Sequence, residues 1–212
     1  MGIPENDIQY LPNGISLDGY DIANSKPDQP TIGYFARICP EKGLDLLIDA
    51  FIELKKSDKH SALRLAIAGT LPSENITYLE EQKTKLSQAG LDDFVEIKTN
   101  LSRSEKIKFL RGLSLFCVPA RFPEAFGLYV IEAMAASLPV VLPDHGSFPE
   151  IIRETQGGLL YIKDDPSGLT HALSTMLGDS KQAQQFGEQG RAVVHEKYSN
   201  DRLAKELSLI HI

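Results

Sequence analysis

The chain has 212 residues, 42% hydrophobic and 24% charged, with a formal net charge of -7 at pH 7. That length can bury one core without disulfides or metals, and the composition is that of a soluble globular protein, which excludes disordered, collagenous and membrane classes. The acidic balance argues against broad, sequence-independent nucleic-acid binding but leaves room for a local basic pocket that takes a small anion.

No apolar run approaches the ~20 residues of a membrane helix. The opening MGIPENDIQYLPNG lacks the cationic start and apolar core of a secretion signal. Cys39 and Cys117 form neither a disulfide framework nor a zinc pattern. A cytoplasmic setting is therefore expected.

In chain order, Pro12-Asn13-Gly14 is a turn that reads better as a passage into a domain than as the start of a chain. From Thr31 onward, short apolar runs alternate with segments of helical period, the pattern of βα units on a parallel sheet. The runs are 31–36, 63–68, 94–97, 113–118, 139–142 and 158–162. The first helix is expected over 43–56, with Leu44, Leu47, Ile48, Phe51 and Leu54 on one face. Later helices are expected over 73–88, 104–111, 126–136 and 166–177, with Ser104 as an N-cap and Gly90 at a helix end. Beyond Asp179, the polar stretch to Tyr198 reads as a helix on the outer edge of the sheet. The expected fold is an α/β, Rossmann-like three-layer sandwich on a parallel sheet of about six strands. The last residues, LSLIHI, break the polar pattern and read either as translated adapter sequence or as an apolar helix turn that packs on a missing partner.

Two stretches can carry chemistry. In GYFARICPEKG (33–43) a strand gives way to a helix, with Arg37 and Lys42 between them. Helix starts attract anions through free amides and the dipole, and ligands of open α/β sheets bind at the carboxyl ends of strands. A diphosphate site fits, although solvated loop charges would look the same in isolation. Neither a Walker loop nor a GxGxxG fingerprint is present, so ATPase and simple dehydrogenase readings lack their glycines.

The second stretch, PARFPEAFGLYVIEAMAASLPVV (119–141), carries Glu124 and Glu132. On a helix rising ~1.5 Å per residue the two carboxylates would stand roughly 12 Å apart. Glycosidase pairs stand ~5 to 9.5 Å apart, so an acid and nucleophile pair is disfavoured. The spacing suits the two ends of a sugar nucleotide, hexose hydroxyls at one and ribose hydroxyls at the other, with the amides of Phe126, Gly127 and Leu128 between. Alternatively, Glu124 is a first-turn acid and Glu132 a surface charge, but Glu132 lies in an apolar helix where an unpaired carboxylate is costly. His145 reads as a solvated loop residue, Tyr34 and Phe35 as core. His60, His171 and His195 lack metal-ligand spacing.

These blocks resemble the retaining family 4 (group 1) glycosyltransferases of the GT-B fold. The resemblance rests on PEAFGLYVIEAMAASLPVV and ARICPEKGLDLLIDAF, with LPNG, GSFPEII and GGLLYIKDDPSGL in support, and covers nearly the whole chain. Ser137 stands where the family usually has a glycine, and His145-Gly146 where it often has paired glycines.

The resemblance implies that Arg37 and Lys42 hold the donor diphosphate, Glu132 the ribose and Glu124 the transferred sugar, with the Phe126, Gly127 and Leu128 amides completing the cradle. Arg37, Lys42 and Glu124 would be the catalytic groups. The loops at Gly69-Thr70 and Asn100-Leu101 would neighbour the base. No metal, cofactor or nucleic acid is implied. It further implies that 1–30 leads in from an absent acceptor-binding N-terminal domain, through which any peripheral membrane contact would run. Residues 31–206 would be the nucleotide-sugar-binding domain and 207–212 a tail of uncertain origin. On this reading the chain is one half of a hexosyltransferase, inactive alone. The alternatives are a non-catalytic sugar-nucleotide-binding module and a GT-B phosphorylase or synthase.

Overall fold

The computed structural model describes residues 11–21 and 27–210. One sheet contains β1 (Thr31–Phe35), β2 (Arg64–Gly69), β3 (Val95–Thr99), β4 (Leu115–Cys117), β5 (Val140–Pro143) and β6 (Gly158–Tyr161), in the order β3-β2-β1-β4-β5-β6. All the pairings are parallel. Each apolar run expected as a strand is one. The helices are α1 (Leu44–Lys55), α2 (Ile76–Gln88), α3 (Arg103–Arg111), α4 (Leu128–Ala135), α5 (Phe148–Thr155), α6 (Gly168–Gly178), α7 (Ser180–Lys197) and α8 (Asn200–Ile210).

From β1 the chain steps outward to β2 and β3, and from β4 it steps the other way to β5 and β6. Right-handed crossovers running in opposite directions place their helices on opposite faces. Accordingly α1 packs with α2 and α6, while α7 packs with α4 and α5. Both faces being covered, the central strands are continuous apolar runs: β4 and β5 are buried throughout. The expected stripe of α1 is buried as well, Leu44, Leu47, Ile48, Phe51 and Leu54 together. The result is a Rossmann-like three-layer α/β sandwich.

Several local expectations change. The N-cap of α3 is Ser102, not Ser104: its hydroxyl accepts from Glu105 N–H while the Glu105 carboxylate accepts from Ser102 N–H, a reciprocal capping box. Helix α4 starts at Leu128, because Gly127 turns left-handed (φ 77°) just before it. Helix α5 was not expected from the sequence, being short and opened by Phe148-Pro149, yet it buries Phe148, Ile151 and Thr155. Helix α7 packs across α4 and α5 as well as β6. It comes close enough that a Cβ at Gly187 would lie 2.2 Å from the Ser137 carbonyl oxygen. Ser137 itself adopts φ 57°, a left-handed position suited to glycine.

The lead-in packs on the far end of the domain, with Ile15 N–H donating to the Tyr198 carbonyl and Asn200 N–H to the Ile15 carbonyl. Of the terminal stretch, α8 carries the backbone to Ile210, and the rest lies outside the described residues. Among the described residues no helix is long and apolar enough to cross a membrane.

Candidate functional site at the carboxyl ends of β1 and β4

β1 and β4 are neighbours from which the chain departs in opposite directions, the arrangement that opens a crevice beyond the carboxyl ends of a parallel sheet. The two stretches marked in the sequence follow these two strands. After β1, Ile38 and Cys39 are buried and Ile38 N–H donates to the Thr70 carbonyl, while Asn100 N–H donates to the Gly69 carbonyl. The β1, β2 and β3 loops are thereby tied side by side. A 3-10 turn, Pro40–Lys42, then ends on Gly43 (φ 68°), where a Cβ would lie 2.0 Å from the Pro119 carbonyl oxygen. Only glycine permits that backbone to touch the segment following β4.

Charge reinforces this contact. Arg121 donates through its backbone to the Glu41 carbonyl (2.9 Å) and through Nη1 to the Pro40 carbonyl (2.7 Å). Its guanidinium also grips both oxygens of Asp45, at 2.7 and 2.5 Å. The Tyr78 hydroxyl donates to Asp45 as well (2.8 Å). Burial pushes the Asp45 carboxyl up, but hydrogen bonds from Arg121 and Tyr78 outweigh it and hold the group below the usual aspartate value.

Lys42 and Glu124 form an ion pair, their side chains 19% and 17% exposed. The Lys42 ammonium also lies 5.3 Å from the centroid of the Tyr129 ring. The Tyr129 hydroxyl is buried beside Glu124. Burial, and then the charge of Glu124, raise its pKa well above that of an ordinary phenol. Arg37 is exposed and has no ion pair among the described residues. It therefore remains available to an anion outright, whereas Lys42 would share its charge between Glu124 and an anion.

Glu132 lies on the second turn of α4, paired with Lys106 of α3, at 19% and 18% exposure. It is thus not a surface charge, and Glu124, which precedes the helix, is not a first-turn acid. The spacing for a continuous helix does not apply across the turn at Gly127, but the two carboxylates go to separate lysines. Between them, the backbone amides of Phe126, Gly127 and Leu128 have no acceptor among the described residues. Phe126 leans on Tyr198, their ring centroids 6.0 Å apart, and Leu128 is 45% exposed at the mouth.

Lys106 went unnoticed in the sequence. In RSEKIKFLR it looks like one more cation on a solvated face, and only the crossing of α3 from the β3 edge to β4 brings it to Glu132. His145 also differs from its expected solvated role. Its Nε2 donates to the Ala120 carbonyl (2.9 Å), and its Nδ1 is buried without a partner among the described residues. The same loop braces Glu124: Ser147 N–H donates to the Glu124 carbonyl, and a Cβ at Gly146 would meet Glu124 N at 2.6 Å.

His60 bonds Ser174, and His195 the Ala135 carbonyl, as structural groups. Tyr34 and both cysteines are buried; Phe35 is partly buried against Phe109. A cavity of about 440 Å³ between α3 and β2–β3 is lined by Leu65, Leu101, Phe109 and Leu113 among others. No residue of the two stretches lines it, so volume and chemistry point to different places. The convergence of charges and free amides makes the β1–β4 crevice the stronger candidate.

The family described as glycosyl transferases group 1 matches residues 21–193. The lipopolysaccharide core biosynthesis mannosyltransferase LpcC of Rhizobium leguminosarum bv. viciae is 29% identical over 190 residues, covering 89% of this chain and 52% of that protein. The C-terminal domain of a group 1 family glycosyl transferase (LpcC) from Francisella tularensis superposes with a TM-score of 0.77 at 25% identity, covering 88% of this chain and 100% of that one. Anabaena Alr3699/HepE, whose structure holds UDP-glucose, has a TM-score of 0.78 at 20% identity, covering 94% of this chain and 57% of that one. The chain spans about half the length of the relatives it matches, 52% and 61% for the first two.

Proposed function

This chain belongs to the group 1 glycosyl transferases, and we propose that it supplies the donor-binding half of a retaining, GT-B-type enzyme that moves a hexosyl group from a nucleoside-diphosphate sugar to an acceptor. One observation carries the reading. Glu124 and Glu132, each held by a lysine, flank the free amides of Phe126, Gly127 and Leu128 where the sheet changes direction. Such a site offers hydrogen-bond acceptors at two ends and donors between them, which complements sugar, diphosphate and ribose in a row. UDP and UDP-glucose bound to a protein of the same fold, and mannosyltransferases among the relatives, support the ligand class.

Arg37 and Lys42 would face the diphosphate, Glu124 the hexose hydroxyls and Glu132 the ribose. As the bond from the anomeric carbon to the diphosphate oxygen breaks, the leaving group gains negative charge. Arg37, Lys42 and the amides of the α4 turn are preorganised against it, which is the dominant way such a site lowers a barrier. The acceptor oxygen then bonds to the same carbon on the same face, its proton passing to the departing phosphate oxygen. No protein nucleophile is required, and Glu124, paired with Lys42, acts as a hydrogen-bond acceptor. Acceptor contacts would come from a second domain, so this chain alone binds donor without transferring sugar. The buried free cysteines fit a cytoplasmic setting.

Calorimetry tests the division of roles. Glu132→Gln should weaken binding of UDP, GDP or ADP, whichever binds tightest, because a charged acceptor becomes a neutral one. Glu124→Gln should spare that nucleotide and weaken its hexose-bearing form. Equal losses for both ligands in both variants would overturn the assignment.

A further inference from the structure

We infer that Lys106 is a positioning residue for the nucleoside end of this site: it holds the Glu132 carboxylate by one oxygen, leaves the other for ribose hydroxyls, and so sets the preference for ribose over 2′-deoxyribose. The inference rests on the donor-site reading above and deepens it. Lys106 Nζ contacts Glu132 Oε1, with both side chains under a fifth exposed, so water competes little for the carboxylate. The centroid of the Phe35 ring, at the end of β1, lies 5.7 Å from the ammonium, and that ring is itself packed against Phe109 of α3.

Of the other cations of α3, Lys108 lines the cavity against β2–β3, which Glu132 does not, and the two arginines are occupied elsewhere. Arg103 donates to the Ser16 carbonyl (3.0 Å) and Arg111 to the Gly19 carbonyl, both in the lead-in segment. The lead-in also contributes Tyr20, whose buried hydroxyl has no hydrogen-bond partner among the described residues. Burial first, and then the charge of Glu132, push its pKa up, so it stays a neutral phenol and cannot add a second negative charge. Lys106 is therefore the cation that compensates Glu132. A carboxylate fixed at one oxygen presents the second at a defined angle, and two adjacent hydroxyls read that angle more strictly than one.

The test compares UDP, GDP and ADP with their 2′-deoxy counterparts by calorimetry, using the pair that binds tightest. Wild-type protein should prefer the ribonucleotide by roughly tenfold, the worth of one good hydrogen bond to a charged group. Lys106→Met should shrink that preference to about twofold with little change in deoxynucleotide affinity, and Lys106→Arg should restore much of it. Should the methionine variant not fold, Lys106→Gln carries the same expectation, since it removes the charge while keeping a polar stem. Equal weakening of both ligands would reduce Lys106 to general support, and tighter ribonucleotide binding would make it a competitor; either overturns the inference. Glu132→Gln is the control: if it leaves the preference intact, the ribose role of Glu132 fails, whereas a collapse there with none in Lys106→Met defeats Lys106 alone.

Discussion

At the carboxyl ends of β1 and β4, charged groups join segments far apart in the chain. Lys42 reaches Glu124, Lys106 reaches Glu132 and Arg121 reaches Asp45, with no side chain more than 35% exposed. Along α2 and β3 two pairs join near neighbours, Lys83 to Glu80 and Lys98 to Glu96, at exposures between 44% and 60%, and a third, Lys85 of α2 to Asp49 of α1, joins distant segments but stays at 37% and 58% exposure. The difference is physical as well as topological. Partial burial lowers the local dielectric, so the inner pairs gain more from charge and lose more when one partner is removed. Exposed pairs gain little and are screened by salt. The site is thus where the fold uses partly buried charge to fix one segment against another, and substitutions in the two regions should differ accordingly.

The largest effect is expected where those loops touch through backbone. Gly43→Ala would force a left-handed conformation on a residue with a Cβ and drive that carbon into the Pro119 carbonyl, 2.0 Å away. Strain and displacement together should cost on the order of 3 kcal/mol or more. Chemical denaturation would register a loss of that size, and the variant should also bind nucleotide poorly because Lys42 precedes the displaced residue. A loss below about 1 kcal/mol would mean that the two loops yield to each other, and the picture of a braced site would fail.

Asp45→Asn should have a smaller effect with a distinctive pH dependence. The change leaves Arg121 without its charged partner, a loss of about 1 kcal/mol for a partly exposed pair near neutral pH. Asp45 has a folded pKa below the unfolded one, so its contribution is fully present above the unfolded value of about 4 and is lost as pH falls through the lower, folded value. The stability gap between wild type and Asp45→Asn should therefore be constant from pH 5 to 7 and narrow below about pH 4. A gap that widens on acidification would show the opposite sign of linkage, and Asp45 would not be a stabilised carboxylate.

The contrast between regions also explains what could be seen in the sequence. Strands 31–36 and 139–142 stood out because a sheet buried on both faces demands unbroken apolar runs, and those are visible in one dimension. Arg37, Lys42, Glu124 and Glu132 stood out because each belongs to a compact block at a strand end or helix start. Lys106 and His145 did not, because their partners, Glu132 and the Ala120 carbonyl, come from elements 26 and 25 residues away and no local spacing links them. The N-cap of α3 is expected at Ser104 and lies two positions earlier, at Ser102, since serines at 102 and 104 offer rival caps and only the Glu105 partner decides between them. Helix α5 escaped because its apolar period spans just eight residues, too short for the pattern to rise above its Pro and Gly surroundings.

The smallest effect is expected on α2. Lys83→Ala removes the partner of Glu80 in an exposed pair three residues apart on one helix, with the lysine 44% and the glutamate 60% exposed. Such a pair contributes a few tenths of a kcal/mol, and alanine, the better helix former, returns part of it. The expected change in stability is within about 0.5 kcal/mol, smaller still at high salt, with nucleotide binding untouched. Because Lys83 and Lys42 are the same residue type, both ion-paired to glutamate, the substitution isolates environment from chemistry. If Lys83→Ala destabilised the protein as much as Asp45→Asn does, burial and reach across the chain would not be what separates the two classes of pair. An effect on binding would bring α2 into the site and undo the separation altogether.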